Sequence, residues 1–215
     1  MYQLVIFDMD GTLLDTDKII ISTFVELYKL YKPDQKPDKE RFLYFSGPPI
    51  METLKHEFPD QNTEYMFEEY RRISNPLYEK YLRAYPYAKE LIKKLKKRKI
   101  DIAIVTSKHH APAMNALRIS RLEDSFEVVI ASDDVKKTKP DPEGIFHAMK
   151  RFNIENKEDV LYIGDNEIDY VSAENAGIDC VLVMWSPRTI DQDRVHPRYY
   201  LDSFKNFFEV IKNGK

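Results

Sequence analysis

The sequence predicts an α/β protein: a doubly wound parallel sheet forms the core, and an all-helical cap domain is inserted into it. Three observations carry this expectation. Five short apolar runs, Leu4–Phe7, Ile102–Val105, Val128–Ala131, Val160–Ile163 and Val181–Met184, are continuous rather than alternating, as in strands buried on both faces. Helical patterns over Ala88–Lys97, Pro112–Leu117, Glu143–Phe152 and Ile168–Ala176 alternate with the later runs, which points to a parallel sheet covered by helices on both sides. Between Asp15 and about Ala84 the chain shows helical periodicity and no strand.

Taken in order, the first strand runs straight into Asp8-Met9-Asp10-Gly11-Thr12-Leu13, and Gly11 permits a sharp turn there. Ile19–Tyr31 reads as a helix ended by Pro33, and Ile50–Phe58 as a second with Pro49 at its start. Glu64–Arg83 is a long helical region that the pattern interrupts near Asn75–Pro76. Residues 15–84 therefore read as the cap over the sheet's active edge, and residues 1–14 and 85–215 as the core. The lysine-rich stretch Lys93–Lys99 reads as the solvated face of a helix whose other side carries Leu91, Ile92 and Leu95. Pro187–Tyr200 reads as a loop, and Asp202–Lys212 as a closing amphipathic helix.

Composition narrows the function classes. A chain of 215 residues allows one core domain with a modest insertion, and 43% apolar with 32% charged residues suits a soluble globular protein. A net charge of −3 argues against a nucleic-acid partner. No segment approaches the ~20 apolar residues of a membrane span. The N-terminal residues enter an apolar strand with no basic region or cleavage site, and the lone Cys180 sits in an apolar run, so the expected location is cytoplasmic. Nothing in the sequence speaks to oligomeric state.

The chemistry-bearing residues lie at strand ends, where parallel sheets bind ligands. Asp8 and Asp10 share a pocket if the strand is already breaking, and backbone N–H groups around Asp10–Thr12 suit an anion. The second run ends in Thr106-Ser107-Lys108, with a hydroxyl and free N–H groups for a phosphate oxygen. After the third comes Lys139-Pro140, whose lysine offers a fixed point charge. The fourth ends in Gly164-Asp165 with Asp169 four residues on, so both acids face one way if a helix begins there. Clustered carboxylates without imidazole or thiolate favour magnesium over zinc. Thr106 or Lys139 alone is a weak signal; in order, each after a predicted strand, the set is strong.

In that order the motifs, Asp8-x-Asp10-Gly-Thr-Leu, Thr106, Lys139-Pro140 and Gly164-Asp165-xxx-Asp169, resemble the haloacid-dehalogenase superfamily over most of the chain. The resemblance implies a Rossmann-like core with a helical cap after the first strand, and a magnesium-dependent phosphohydrolase acting on a small phosphorylated substrate. It implies Asp8 as nucleophile through an aspartyl-phosphate, Asp10 as proton-transfer partner, and Lys139 as the supporting cation. Gly11, Thr12, Thr106, Ser107 and Lys139 are the implied phosphate contacts. The metal set is Asp8, Asp165 and Asp169, with Asp10 through its backbone carbonyl and Asp169 acting indirectly or through water. True dehalogenases of the superfamily lack the second acid, so Asp10 argues for phosphoryl chemistry. Mutases of the β-phosphoglucomutase type carry a histidine where Ile20 stands here. A phosphomutase or phosphotransferase, and a non-enzymatic binding protein on the same fold, remain the alternatives.

Substrate choice falls to the cap. Phe45-Ser46-Gly47-Pro48-Pro49 resembles the specificity loop of phosphoglycolate-phosphatase-like members, and its Gly-Pro pair is similar to that of the inorganic pyrophosphatases among them. Ser46, Gly47, Pro48 and Arg71 are the candidate specificity residues, with Lys108 also within reach of substrate charge. Tyr65, Phe67, Tyr70, Tyr78 and Tyr81 read as cap packing, and His109-His110 as a solvated helix start. His56, His147 and His196 have no metal-ligand spacing.

Overall fold

The apolar run Leu4–Phe7 forms the central strand β1 of the computed structural model, which describes residues 2–213. Its side chains divide between two apolar cores: Val5 and Phe7 enter one, Leu4 and Ile6 the other. After β1 come a two-residue strand β2 (Leu14–Asp15), α1 (Asp17–Tyr31), α2 (Lys39–Phe42), a 3-10 turn (Leu43–Ser46), α3 (Ile50–Glu57) and α4 (Thr63–Tyr81). The two-residue β3 (Arg83–Ala84) pairs antiparallel with β2 and returns the chain to the core. The remainder alternates: α5 (Ala88–Lys97), β4 (Asp101–Val105), α6 (His110–Ser120), β5 (Val128–Ile130), α7 (Glu143–Arg151), β6 (Val160–Gly164), α8 (Glu167–Ala176), β7 (Asp179–Val183), β8 (Tyr199–Leu201) and α9 (Phe207–Asn213).

Six of these strands form one sheet in the order β5-β4-β1-β6-β7-β8. Every pairing in it is parallel. From β1 the chain builds outward through β4 and β5, then crosses to β6 on the other side. This reversal leaves a crevice beyond the carboxyl ends of β1, β4 and β6, where ligands of open α/β sheets bind. Leu91, Ile92 and Leu95 of α5 and Ala113, Ala116 and Leu117 of α6 cover one sheet face; Ile145 and Met149 of α7 and Ala173 of α8 cover the other. The lysines of α5 are exposed opposite its buried leucines, as the pattern predicts. Cys180 is buried in β7. No helix of the described residues is long and apolar enough to cross a membrane.

Helices α1–α4 share an apolar cluster of their own, with Phe24, Leu27 and Tyr28 of α1 meeting Phe42, Leu54, Phe58, Met66 and Tyr70. Phe24 is fully buried, its ring centroid 4.6 Å from that of Phe45 and 5.5 Å from that of Phe42. The carboxylate of Glu57 is 2% exposed and is satisfied by the Tyr28 hydroxyl at 2.6 Å and by Arg41. That network joins α1, α2 and α3 through one buried charge, which without partners would be costly.

The structure departs from the sequence reading at short elements and at one proline. α4 is continuous through Pro76 instead of breaking near Asn75–Pro76. A mid-helix proline costs about 3 kcal/mol. Met66, Tyr70 and Tyr78 are buried along the same helix, and each large apolar side chain so placed returns roughly 1.5–3 kcal/mol. β2, β3 and α2 are too short to generate a period. β8 lies at the end of the stretch read as a loop, where its three residues alternate buried, exposed, buried.

Replacing Phe24 by Ala empties the centre of the helical cluster. The expected cost is about 3–5 kcal/mol, read as a lower midpoint in urea. A loss below about 1 kcal/mol would contradict this packing.

Candidate active site

The crevice is built from strand ends. Asp8 follows β1 directly and its N–H donates to the Ile163 carbonyl at 2.8 Å, so its backbone is held by β6. The chain then turns at Gly11 with φ +84°. A Cβ there would lie 2.3 Å from Asp165 Oδ2 and 2.9 Å from Arg188 Nη1, so only glycine admits both groups. At the end of β6, α8 starts with a reciprocal cap. Asn166 accepts from the Ile168 N–H, while Asp169 Oδ2 accepts the N–H groups of Asp165 and Asn166 at 3.2 Å each. This cap brings Asp165 and Asp169 together.

Lys139 reaches in from the loop after β5, following which the peptide to Pro140 is cis. Its ammonium lies 2.7 Å from Asp8 Oδ1 and 2.6 Å from Asp169 Oδ1, with a side chain only 5% exposed. The Tyr162 hydroxyl is 3.3 Å away and donates to the Val105 carbonyl at 3.0 Å. Beyond the end of β4, Lys108 Nζ sits 2.9 Å from Asp10 Oδ2 and donates to the Tyr78 hydroxyl of α4 at 2.9 Å. A third cation, Arg188, lies 2.7 Å from Asp165 Oδ2 and 2.6 Å from Asp17 Oδ1.

Five carboxylates (Asp8, Asp10, Asp17, Asp165, Asp169) thus face three cations (Lys108, Lys139, Arg188), a formal excess of two negative charges. Burial pushes the Asp8 carboxyl well up; Lys139 opposes this, while Asp169 and Asp165 add to it. Asp165 is raised from 3.8 to about 6, by burial first and by Asp169, against the pull of Arg188. Burial lowers the Lys139 ammonium, but Asp169 and Asp8 outweigh it and hold the group charged.

Asp8, Asp165 and Asp169 each present a carboxylate oxygen within 4.8 Å of the others, all buried. Three hard oxygens and a twofold negative excess fit a divalent cation of the magnesium type. The side chain of Asp10 is not part of that cluster; it faces Lys108 and the cavity instead.

A cavity of about 200 Å³ opens above Asp10, floored by Ser107, Lys108 and His109 and roofed by Ile20, Phe45, Pro48, Phe67, Tyr70 and Arg71. Asp10 Oδ1 and Ser107 Oγ are buried without a hydrogen-bond partner among the described residues, and both residues line it. A buried polar atom without a protein partner is one that an ordered water or a ligand would satisfy.

The remaining predicted residues fall into place unevenly. Thr12 Oγ1 lies between Asp8 Oδ2 at 3.4 Å and Asp165 Oδ1 at 3.3 Å. The Gly11 N–H is committed to the Leu14 carbonyl at 2.9 Å and is not free for an anion. Thr106 Oγ1 accepts the Lys108 N–H at 3.2 Å. In the 45–49 loop, Ser46 Oγ meets Arg188, Gly47 lies against Asn166 of the core, and Pro48 lines the cavity. Arg71 lies at the cavity rim, 3.5 Å from Glu68. Phe67, Tyr70 and Tyr78, read as packing alone, also line the cavity, and His109 faces the Phe67 ring at 5.8 Å. Arg188, Ser186 and Tyr162 carry no sequence signal beyond their identity: a buried arginine in an irregular loop and a tyrosine inside a strand look ordinary.

The raised Asp165 carboxyl has a stability consequence. The metal-free folded state holds this proton more tightly than the unfolded chain between pH 3.8 and about 6. Stability from the group is therefore present at the acid end and lost as pH rises through about 6. We expect Asp165→Asn to be more stable than the metal-free wild type at pH 7.5, by about 1–3 kcal/mol, with the gap closing toward pH 4. A gap that widens on acidification, in urea titrations across that range, would contradict it.

With the geometry in place, comparison with known proteins is direct. The family model for haloacid dehalogenase-like hydrolases matches residues 5–183. Curated relatives include the pyrophosphatase PpaX of Halalkalibacterium halodurans, 32% identical over 208 residues, covering 96% of this chain and 95% of that one. The pyrophosphatase PpaX of Bacillus cereus (strain Q1) is 32% identical over 208 residues, covering 97% and 91%. A solved structure from Bacteroides fragilis, provisionally described as a haloacid dehalogenase-like hydrolase, superposes with TM-score 0.85 at 24% identity, covering 96% of this chain and 100% of that one. One from Lactobacillus plantarum, provisionally described as a phosphoglycolate phosphatase, gives 0.82 at 23% identity, covering 97% and 99%. At those identities the structures speak to the fold. The family match and the full-length relatives go further: the chain belongs to the haloacid dehalogenase-like hydrolases.

Proposed function

We propose that this hydrolase is a magnesium-dependent phosphatase that works through an aspartyl-phosphate on Asp8. Its substrate is a small phosphate compound, and pyrophosphate is the leading candidate. The observation that carries the reading is the pairing at the end of β1. Asp8 has Oδ1 held by Lys139 at 2.7 Å, and Asp10, two residues on, lines the cavity with Oδ2 against Lys108 at 2.9 Å.

The roles follow from which oxygens are committed. Lys139 fixes Asp8 Oδ1, so Oδ2, which has only a long contact to Thr12, is the attacking atom. Asp10, which lines the cavity and is held by Lys108 at Oδ2, exchanges the proton. In the first step the Asp8 Oδ2–phosphorus bond forms, the bond to the leaving oxygen breaks, and Asp10 gives that oxygen its proton. In the second, water attacks phosphorus, Asp10 takes its proton, and phosphate leaves Asp8. Splitting one hard displacement in two is covalent catalysis, and the proton transfers supply about 10²–10⁴ in rate. Asp8 and Asp165, backed by Asp169, would hold Mg²⁺, which when bound neutralises charge on the transferring phosphoryl group. Lys139 acts on the same charge from its fixed position, and Ser107 Oγ and the turn around Thr106 suit the phosphoryl oxygens.

Helices α1–α4, residues 15–84, serve as the cap that selects the leaving group. Lys108 and Arg71 give the cavity cationic groups for a leaving group that is itself phosphate. That agrees with the name of the curated relatives. A phosphoglycolate-type monoester is the organic alternative. Ile20 on the cavity wall offers no proton-transfer group and speaks against a mutase.

Asp8→Asn should lower phosphate release from any substrate by roughly 10³-fold or more; retention of a tenth of the activity would remove Asp8 from the nucleophile role. Excess chelator should silence turnover and added Mg²⁺ restore it, and full activity in chelator would sink the metal reading. Across pyrophosphate, phosphoglycolate and sugar phosphates, pyrophosphate should give the highest kcat/KM. An organic monoester ahead of it would leave the mechanism and discard that substrate.

A further inference from the structure

Arg188 is the buried cation for which the mechanism has no use. It lies in the loop between β7 and β8, with a side chain only 1% exposed. Nη1 donates to Asp165 Oδ2 at 2.7 Å and to Ser186 Oγ at 2.8 Å. Nη2 donates to Asp17 Oδ1 at 2.6 Å, at the first residue of α1, and to Ser46 Oγ in the loop before α3. One rigid, planar fork therefore has one tooth in the carboxylate cluster and the other in the helical layer. Both teeth are satisfied only while the layer is seated on the core.

We propose that Arg188 is a positioning residue that couples seating of the helical layer to divalent-cation uptake at Asp165. The proposal rests on the metal reading above. Guanidinium and a divalent cation are drawn to the same carboxylate: Arg188 holds Oδ2 and leaves Oδ1, which has only the 3.3 Å contact from Thr12. Two cations on one carboxylate repel, so the charge of Arg188 opposes cation binding. How strongly it does so depends on how far that charge is shared. With the layer seated, the guanidinium's charge is shared between Asp165 at 2.7 Å and Asp17 at 2.6 Å. With it lifted, the whole charge falls on Asp165. Cation binding is thus tighter when the layer is closed, and by linkage the cation favours closure. Lys139, by contrast, is shared between two core carboxylates and has no partner in the layer among its recorded contacts.

The test is a double-mutant cycle on Mn²⁺ affinity, read by electron paramagnetic resonance without substrate. Arg188→Gln should tighten Mn²⁺ binding about fivefold or more, and Asp17→Asn should weaken it by a similar factor. In the Arg188→Gln background the Asp17→Asn effect should fall below about twofold. Weaker or unchanged binding in Arg188→Gln, or an Asp17→Asn effect of equal size in both backgrounds, would overturn the coupling and leave the metal reading standing. If Arg188→Gln does not fold, Asp17→Asn and Ser46→Ala decide: unchanged affinity in both overturns it. A wild type that takes up no Mn²⁺ overturns the metal reading and this proposal with it.

Discussion

A buried ammonium between two buried carboxylates organises this molecule. Lys139 sits 2.7 Å from Asp8 and 2.6 Å from Asp169, and none of the three residues is more than 8% exposed. Such a triad survives only when each charge is partnered, because stripping one partner from a buried pair costs about 3–5 kcal/mol. The strands and loops that bring the three together are therefore fixed relative to one another. β1 supplies Asp8, the loop after β5 supplies Lys139, and the capped start of α8 supplies Asp169. Tyr162 at the back of the ammonium extends the network into the sheet. The remaining excess of negative charge gives the site its appetite for a cation.

Asp8, Asp10 and Asp165 were legible because each sits just past a strand end, and continuous Val- and Ile-rich runs locate strand ends well; Lys139, in the loop well beyond β5, and Asp169, in the first turn of α8, were legible from their place in the motif order. The parallel order was legible from alternation with helices. What stayed hidden depended on long-range geometry. Arg188 is 171 positions from Asp17 and 23 from Asp165, and nothing local in Ser186-Pro187-Arg188 says that its guanidinium will be buried between them. Lys108 was visible as a charge near the crevice, but its pairing with Asp10 depends on Tyr78 arriving from α4. Pro76 misled because local propensity was outweighed by the burial of Tyr70 and Tyr78 on the same helix. The two-residue ribbon of β2 and β3 has no period to read.

Several polar contacts between the core and the helical layer converge on the site, while the exposed Arg118–Glu79 pair at 3.1 Å joins α6 to α4. Lys108 reaches Tyr78, Arg188 reaches Ser46 and Asp17, and Gly47 lies so close to Asn166 that a Cβ would stand 2.8 Å from its amide. Each link at the site has one end next to a residue with a proposed chemical role. Asp10, Asp165 and the start of α8 therefore sense whether the layer is in place. A mostly apolar roof of Ile20, Phe45, Pro48 and Phe67 lies over the Lys108–Asp10 pair.

The central claim is a covalent bond between phosphorus and Asp8, and borohydride trapping tests it most directly. Reduction of an aspartyl-phosphate during turnover converts that aspartate to homoserine, which peptide mass spectrometry locates. Homoserine at position 8, dependent on substrate and magnesium, is the expected result. Homoserine at another aspartate, or none while phosphate is being released in the steady state, would contradict the account.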